Sequence, residues 1–283
     1  LNTAVQKFQN LVNKGHSKYG RLLALAHFRI SDVNKILEEY DECFKKLDEA
    51  TLIIEKFIQV YPDNELGHRL FTSIEMSRLD AFNKTKRYDE AKKQLDYIVE
   101  YRRARALGSP RNLKLKRNLA NILQRGGKIN FRQNQFDVAS NFYRQAMEIF
   151  TELVALEPEN GRALRDQGWC HYFLAETLIA DSSTIDEGFD NLDAGRAVLF
   201  DRCAAYPADA DARNDLVLYM GNYVSICNKK SELDRANVAC NAVLLALQPV
   251  VEANPANYAL GEVFSKMEEF LSLVEAEISP VQE

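Results

Sequence analysis

The chain has 283 residues, of which 46% are hydrophobic and 27% charged, with a net charge of −5 and a pI near 5.6. That is enough apolar material for a large core, and the acidic balance argues against a general polyanion binder. Only 12 glycines and 7 prolines stand against abundant Ala, Leu, Glu, Lys and Arg, so nearly the whole chain should be helical.

The chain opens on Leu1, inside an amphipathic run and without a secretory signal, and reads as a fragment of a longer protein. From there the apolar spacing predicts helices over 1–13, 18–36, 41–60, 65–84, 89–107, 113–132, 137–156, 161–180, 186–205, 210–229, 234–253 and 258–277. Apolar or small residues recur at steps of three and four: Tyr19, Leu23, Ala26 and Ile30; then Gly67, Phe71 and Ile74; then Leu115, Leu119 and Ile122; then Ala212, Leu216, Tyr219 and Tyr223; then Leu260, Phe264, Met267 and Leu271. Short connections make neighbouring helices antiparallel. No alternating run predicts a strand, and no flexible linker divides the chain, so a single continuous domain is expected.

Punctuation between the helices is periodic. Pro62, Pro110, Pro158, Pro207 and Pro255 lie 48, 48, 49 and 48 residues apart. Two places after each comes Asn64, Asn112, Asn160, Asp209 or Asn257, suited to cap the next helix. Twenty-one places before each stands Asp41, Asp89, Asp137, Asp186 or Asp234, where a carboxylate favours a helix start. A small residue follows each aspartate two places on: Cys43, Ala91, Ala139, Gly188, Ala236. A fixed period of this size predicts stacked repeats. The units are a partial 1–14, then 15–62, 63–110, 111–158, 159–207, 208–255, and a charged closing helix within 256–283, about five and a half helix pairs in all.

The run Phe136-Asp137-x-Ala139-x-x-x-Tyr143-x-x-Ala146-x-x-x-Phe150-x-x-Leu153, followed by Pro158 and Asn160, resembles the second helix and exit turn of a tetratricopeptide repeat. The longer period is similar to long-helix arrays appended to bacterial multidomain proteins, including some serine/threonine protein kinases. The resemblance implies an all-α right-handed superhelix, a solenoid of antiparallel helix pairs. Its first helices would line a concave groove that holds a peptide or partner helix, without catalysis. It implies an accessory or regulatory region of such a protein.

The candidate partner-binding residues follow from the first helices. Arg21, Arg69, Arg117 and Arg165 recur seven places past each turn, with Arg213 and Asn214 straddling the next such place. They form either a ladder of forks for carboxylates or phosphates, or repeated salt bridges between units. Arg165, Trp169 and Tyr172 align on one stripe, as an interface anchor or as packing between units. Ser73 and Met76, then Asn121 and Gln124, occupy matching places. Ten basic residues and no acid fall in 101–136, whereas thirteen acids fall in 151–211. These belts either steer a charged partner or pair locally.

Nucleic acid is not expected, because aromatics do not interleave with the basic run. The longest uncharged stretch, Ala236 to Val251, is short for a bilayer span, so no membrane is expected. His16, His27, His68 and His171 lack metal spacing, Cys170 and His171 are adjacent in sequence, and Gly126-Gly127 stands alone, so no metal, cofactor or catalysis is predicted. Five cysteines without paired spacing, with Cys43 at a small core position, place the chain in a reducing cytoplasm. Two other readings stay open. One is a ligand-sensing domain that controls an attached enzyme, marked by a closed apolar pocket. The other is a self-associating spacer.

Overall fold

The computed structural model describes residues 1–278, and every long element in it starts where the local chemistry asks it to. The first compact unit runs from Leu1 to Gly108. It contains α1 (Asn2–Asn13), α2 (Gly20–Ile36), α3 (Tyr40–Val60), α4 (Glu65–Lys84) and α5 (Tyr88–Gly108). The second begins at Ser109. It contains α6 (Leu113–Arg132), α7 (Phe136–Leu156), α8 (Gly161–Ala180), α9 (Ile185–Ala205), α10 (Ala210–Lys229), α11 (Leu233–Ala253) and α12 (Tyr258–Ile278). No strand occurs among the described residues. Residues 279–283 of the predicted closing unit lie outside the described residues.

The fold is all-α, a TPR-like solenoid of antiparallel helix pairs. In the second unit α6 packs on α7 and α8, α8 on α9 and α10, and α10 on α11 and α12. In the first unit α2 likewise packs on α3 and α4. First helices therefore stack on first helices within each unit.

The caps have the predicted chemistry. Asn64 accepts from the Gly67 N–H, Asn112 from Leu115, Asn160 from Arg162 and Ala163, and Asp209 from Asp211. Each bond satisfies an N–H that the first helical turn leaves free, at about 1 kcal/mol per cap. The small residues Cys43, Ala91, Ala139, Gly188 and Ala236 are all buried.

The turns inside the pairs have a rule of their own. Glu38, Lys86, Asn134 and Ser231 take positive φ of 57° to 61°. After each, an N–H reaches back five residues: Glu39 to the Asn34 carbonyl, Arg87 to Phe82, Gln135 to Asn130 and Glu232 to Cys227, at 2.8–2.9 Å. That is a left-handed helix stop in which the reaching N–H satisfies a terminal carbonyl. The connection from α8 to α9 breaks the rule. There Ser182–Thr184 form a 3-10 turn, and Asp181 accepts from the Ser183 N–H. This longer connection lies inside the one 49-residue interval.

Three histidines are held in this framework, His27 and His68 buried and His171 half-buried. His27 faces Glu49, with Nδ1 2.7 Å from Oε2. His68 lies between Tyr101 Oη and the Pro62 carbonyl, and His171 lies 3.0 Å from Asn191 Oδ1. Burial is the largest influence on all three and lowers each pKa below the ordinary 6.5. Below pH 6.5 the unfolded chain therefore binds protons that the folded chain refuses, and stability falls as pH falls toward the lowered values. Raised carboxyls at Glu55 and Glu176 act in the opposite sense, in the window just above 4.5. The melting temperature should accordingly drop between pH 7 and pH 5.5, less steeply in a His27→Gln variant. A flat profile over that range contradicts the buried neutral imidazoles.

Candidate functional site

The first helices of the second unit carry the predicted stripe, and a buried carboxylate organises it. Asp215, on the second turn of α10, is only 4% exposed. Its Oδ1 accepts from Trp169 Nε1 at 3.0 Å. Its Oδ2 lies 2.7 Å from Arg165 Nε and accepts from Arg202 Nη1 at 2.5 Å. Arg202, also 4% exposed, gives its Nη2 to Asp209 at 2.9 Å. Thus α8, α9 and α10 are joined through one side chain.

Trp169 and Tyr172 sit against the core. Trp169 lies 5.7 Å from Tyr219 and 5.6 Å from Tyr172, centroid to centroid, with Tyr172 itself 5.7 Å from Tyr219. Tyr219 is fully buried and donates to the Leu192 carbonyl at 2.8 Å. Burial pushes the Tyr172 phenol up to about 12, beside Glu176. Arg165 is the outward member of the stripe, with about half of its side chain exposed. The three residues are together, with Arg165 presented and the two rings half-buried.

The arginine ladder links one first helix to the next. Arg117 Nε on α6 donates to Asp166 on α8 at 2.5 Å, as Arg165 on α8 reaches Asp215 on α10. Arg213 on α10 turns back to the Pro207 carbonyl at 2.6 Å. Asn121 and Gln124 are half-buried on α6. Arg69 is exposed on α4 in the first unit. Asp166 and Asp215 both stand eight places past an exit-turn proline, a recurrence visible in the sequence. Arg202 was equally visible, as a charge at a position that holds Phe57 and Leu153 in other pairs.

The charged belts meet each other within the second unit. Lys116 on α6 pairs with Glu152 on α7, and Arg117 on α6 with Asp166 on α8. Cys170, His171 and the Gly126-Gly127 pair are held in structural roles. Cys170 points at the Tyr143 carbonyl, 3.5 Å away, while His171 turns to Asn191. Gly126 and Gly127 let α7 come close, since a Cβ on Gly127 would stand 2.7 Å from the Tyr143 ring. All five cysteines are buried and free, and burial raises Cys203 to about 11 and Cys227 to about 12. Such thiols are poor nucleophiles. No group of three potential metal ligands occurs among the described residues.

An open groove of about 370 Å³ lies between α10 and α12. Asn214, Val217 and Leu218 form one wall, and Ala259, Glu262 and Lys266 the other. Leu218 is exposed, and it occupies in α10 the place that Trp169 has in α8, eleven residues past the exit-turn proline.

The fold is similar to the crystal structure of BtubC (BKLC) from P. vanneervenii, with a TM-score of 0.56, 12% identity, and coverage of 89% of this chain and 88% of that one. A circular tandem repeat protein aligns with a TM-score of 0.36, 12% identity and coverage of 96% and 74%. A tetratricopeptide repeat protein from Parabacteroides merdae aligns at 0.27, 12% identity and coverage of 89% and 98%. No family model and no curated protein matches the sequence.

Proposed function

We propose that the chain is a non-catalytic scaffold of 48-residue helix-pair repeats that binds a protein segment along the first helices α8, α10 and α12. The observation that carries this reading is the open groove between α10 and α12. Its walls offer aliphatic surface at Val217 and Leu218, with Lys266 and Arg213 among the lining residues. That chemistry suits a peptide with an aliphatic anchor and a neighbouring carboxylate. A pre-formed wall lowers the ordering cost that such a segment otherwise bears on docking. Arg117, Asn121 and Gln124 extend the same run of first helices, and Arg69 belongs to the corresponding face of α4. The first helices begin at Glu65, Leu113, Gly161, Ala210 and Tyr258, which supports the repeat period. A place in a reducing cytoplasm, as the accessory array of a longer bacterial protein such as a serine/threonine kinase, completes the proposal. Its supports are the free buried thiols and the repeat resemblance.

Truncating Arg165, Trp169 and Tyr172 together mixes binding with packing, because the two rings rest on Tyr219. Surface changes separate the two. A displayed peptide library selected on the chain should enrich acidic-aliphatic segments, and Lys266→Glu with Leu218→Glu, both exposed on the groove walls, should weaken their binding at least about tenfold with helicity unchanged. Failure to enrich any segment, or binders indifferent to both changes, contradicts the proposal.

A further inference from the structure

Two helices of the second unit carry stripes of opposite charge. On α6, Lys114, Asn118, Asn121, Arg125, Lys128 and Arg132 are spaced by four and three and share one face, turned away from the buried Leu115, Leu119 and Ile122. The stripe holds cations and amides and no acid. In α4, α8, α10 and α12 the same places include Asp80, Asp166, Asp211 and Glu277. Lys114, Arg125, Lys128 and Arg132 are all exposed. The ion pairs of α6 belong instead to Lys116 and Arg117, which lie off the stripe. Lys128 leans on the Phe173 ring, 5.7 Å from its centroid, and stays exposed.

The α9 helix has the opposite pattern. Asp186, Asp190, Ala194, Ala197 and Asp201 share its outward face, away from the buried Phe189, Leu192 and Leu199. The three acids and Ala197 are exposed. Glu187 and Asp193, at the edges of this face, are already taken by Arg144 and by Arg196 and Arg235, whereas no cation pairs with Asp186, Asp190 or Asp201 among the described residues. The two stripes also match in register. Lys114 and Arg125 are eleven residues apart, as are Asp190 and Asp201, about 16 Å along either helix. Set antiparallel with Lys114 opposite Asp201, the α6 stripe brings Arg125 opposite Asp190 and places Asp186 between Lys128 and Arg132. Asn118 and Asn121 then face Ala197 and Ala194, whose short side chains leave room for the amides. Set parallel, Lys114 meets Asp190 and Arg125 meets Asp201, but Lys128 runs on to Ala204.

We infer that the α6 stripe of one copy docks antiparallel on the α9 stripe of a second copy. Complementary charge selects the partner and fixes its register. The uncharged interval decides the occupant. Evenly spaced phosphates, on a nucleic acid or a lipid surface, have no eleven-residue gap to match the one between Lys114 and Arg125, while α9 repeats that gap with alanines inside it. The two stripes are different surfaces of the chain, so the contact is head to tail, and it propagates from copy to copy or closes into a ring. It uses α6 and α9, whereas the peptide groove lies between α10 and α12, so each is tested apart from the other.

Exposed ion pairs are weak one by one and are screened by salt. Sedimentation velocity of the full chain from about 1 to 300 µM should therefore show mass rising with concentration in about 20 mM salt, and monomer in about 500 mM. Arg125→Glu with Lys128→Glu should weaken association at least about tenfold, as should Asp190→Lys with Asp201→Lys, each with an unchanged circular dichroism spectrum. An equimolar mixture of these two variants should associate again, because each supplies the charge that the other needs. The register has its own test. Loss through Lys114→Glu should be repaired by adding Asp201→Lys and not by adding Asp190→Lys. A chain monomeric at every concentration in low salt overturns the inference. So does association that persists in high salt, a variant of either stripe that associates undiminished, a mixture that stays monomeric, or repair by Asp190→Lys. Binding to phosphatidylserine vesicles or duplex DNA in place of self-association also overturns it, because the α6 stripe would then serve a different anion.

Discussion

Replacing Asp215 with alanine should cost the second unit about 3–5 kcal/mol, the largest single loss in the protein. The carboxylate is buried and takes three donors, from Trp169, Arg165 and Arg202. Its removal leaves the Arg202 guanidinium in the interior with Asp209 as its remaining acid, and leaves the Trp169 N–H without an acceptor. A buried charge stripped of its partner is penalised far more than an exposed pair is rewarded. Asp166→Ala is the internal control. Its partner Arg117 is part-exposed, so the loss there should be about 1 kcal/mol or less. Urea denaturation of the two variants checks the ordering. Joint replacement of Asp215 by Leu and Arg202 by Met should recover part of the loss, since no charge is then stranded. Equal effects at Asp166 and Asp215 would contradict the hub.

Gly195→Ala should be the next most damaging change, at about 3 kcal/mol or more. A Cβ at Gly195 would lie 2.3 Å from Tyr219 Oη, 2.8 Å from the Gly168 carbonyl and 2.9 Å from His171 Cβ. Two of those neighbours belong to α8, and one is a backbone atom that cannot rotate away. The third, Tyr219, would have to abandon its bond to the Leu192 carbonyl. The α8–α9 crossing at this point depends on the missing methyl. Gly261→Ala on α12 should have the opposite sign, a gain of about 0.5–1 kcal/mol, because no atom stands within 4 Å of its Cβ. Thermal melts of the pair give the test, and a gain or a neutral result at Gly195 would contradict the close crossing.

The helix ends were legible in the sequence because their causes are local. An Asn or Asp two residues past a proline needs only its own first turn to act as a cap, as Asn64 and Asp209 do. The small residues after each aspartate were legible for a related reason, since a repeated small side chain in an amphipathic helix marks a close contact. The left-handed stops at Glu38, Lys86, Asn134 and Ser231 were hidden, because their side chains share no chemistry and the backbone alone carries the motif. Hidden too was the role of Trp169. Its helical spacing with Arg165 put the two on one stripe, but spacing cannot say that the indole N–H ends on Asp215, 46 residues on. That pairing depends on how far α10 sits from α8, a tertiary distance. Arg117 and Arg165 show the same limit. Their recurrence was plain, as was that of Asp166 and Asp215, while the match of each arginine to the acid one repeat on follows only from the stacking of one first helix on the next.

The proposed repeat is tested most directly by removing one whole unit. Deleting residues 159–207 joins Pro158 to Ala208, keeps Asp209 as the cap of the following helix, and brings Asp215 to the place that Asp166 held opposite Arg117. The shortened chain should keep its helicity per residue and unfold cooperatively, because each pair contacts only its neighbours. Deleting 161–184, a single helix with its connection, should leave a poorly folded product by the same circular dichroism and urea measurements. If the whole-unit deletion is as disordered as the single-helix deletion, the chain is not built of interchangeable helix pairs, and the scaffold reading loses its foundation.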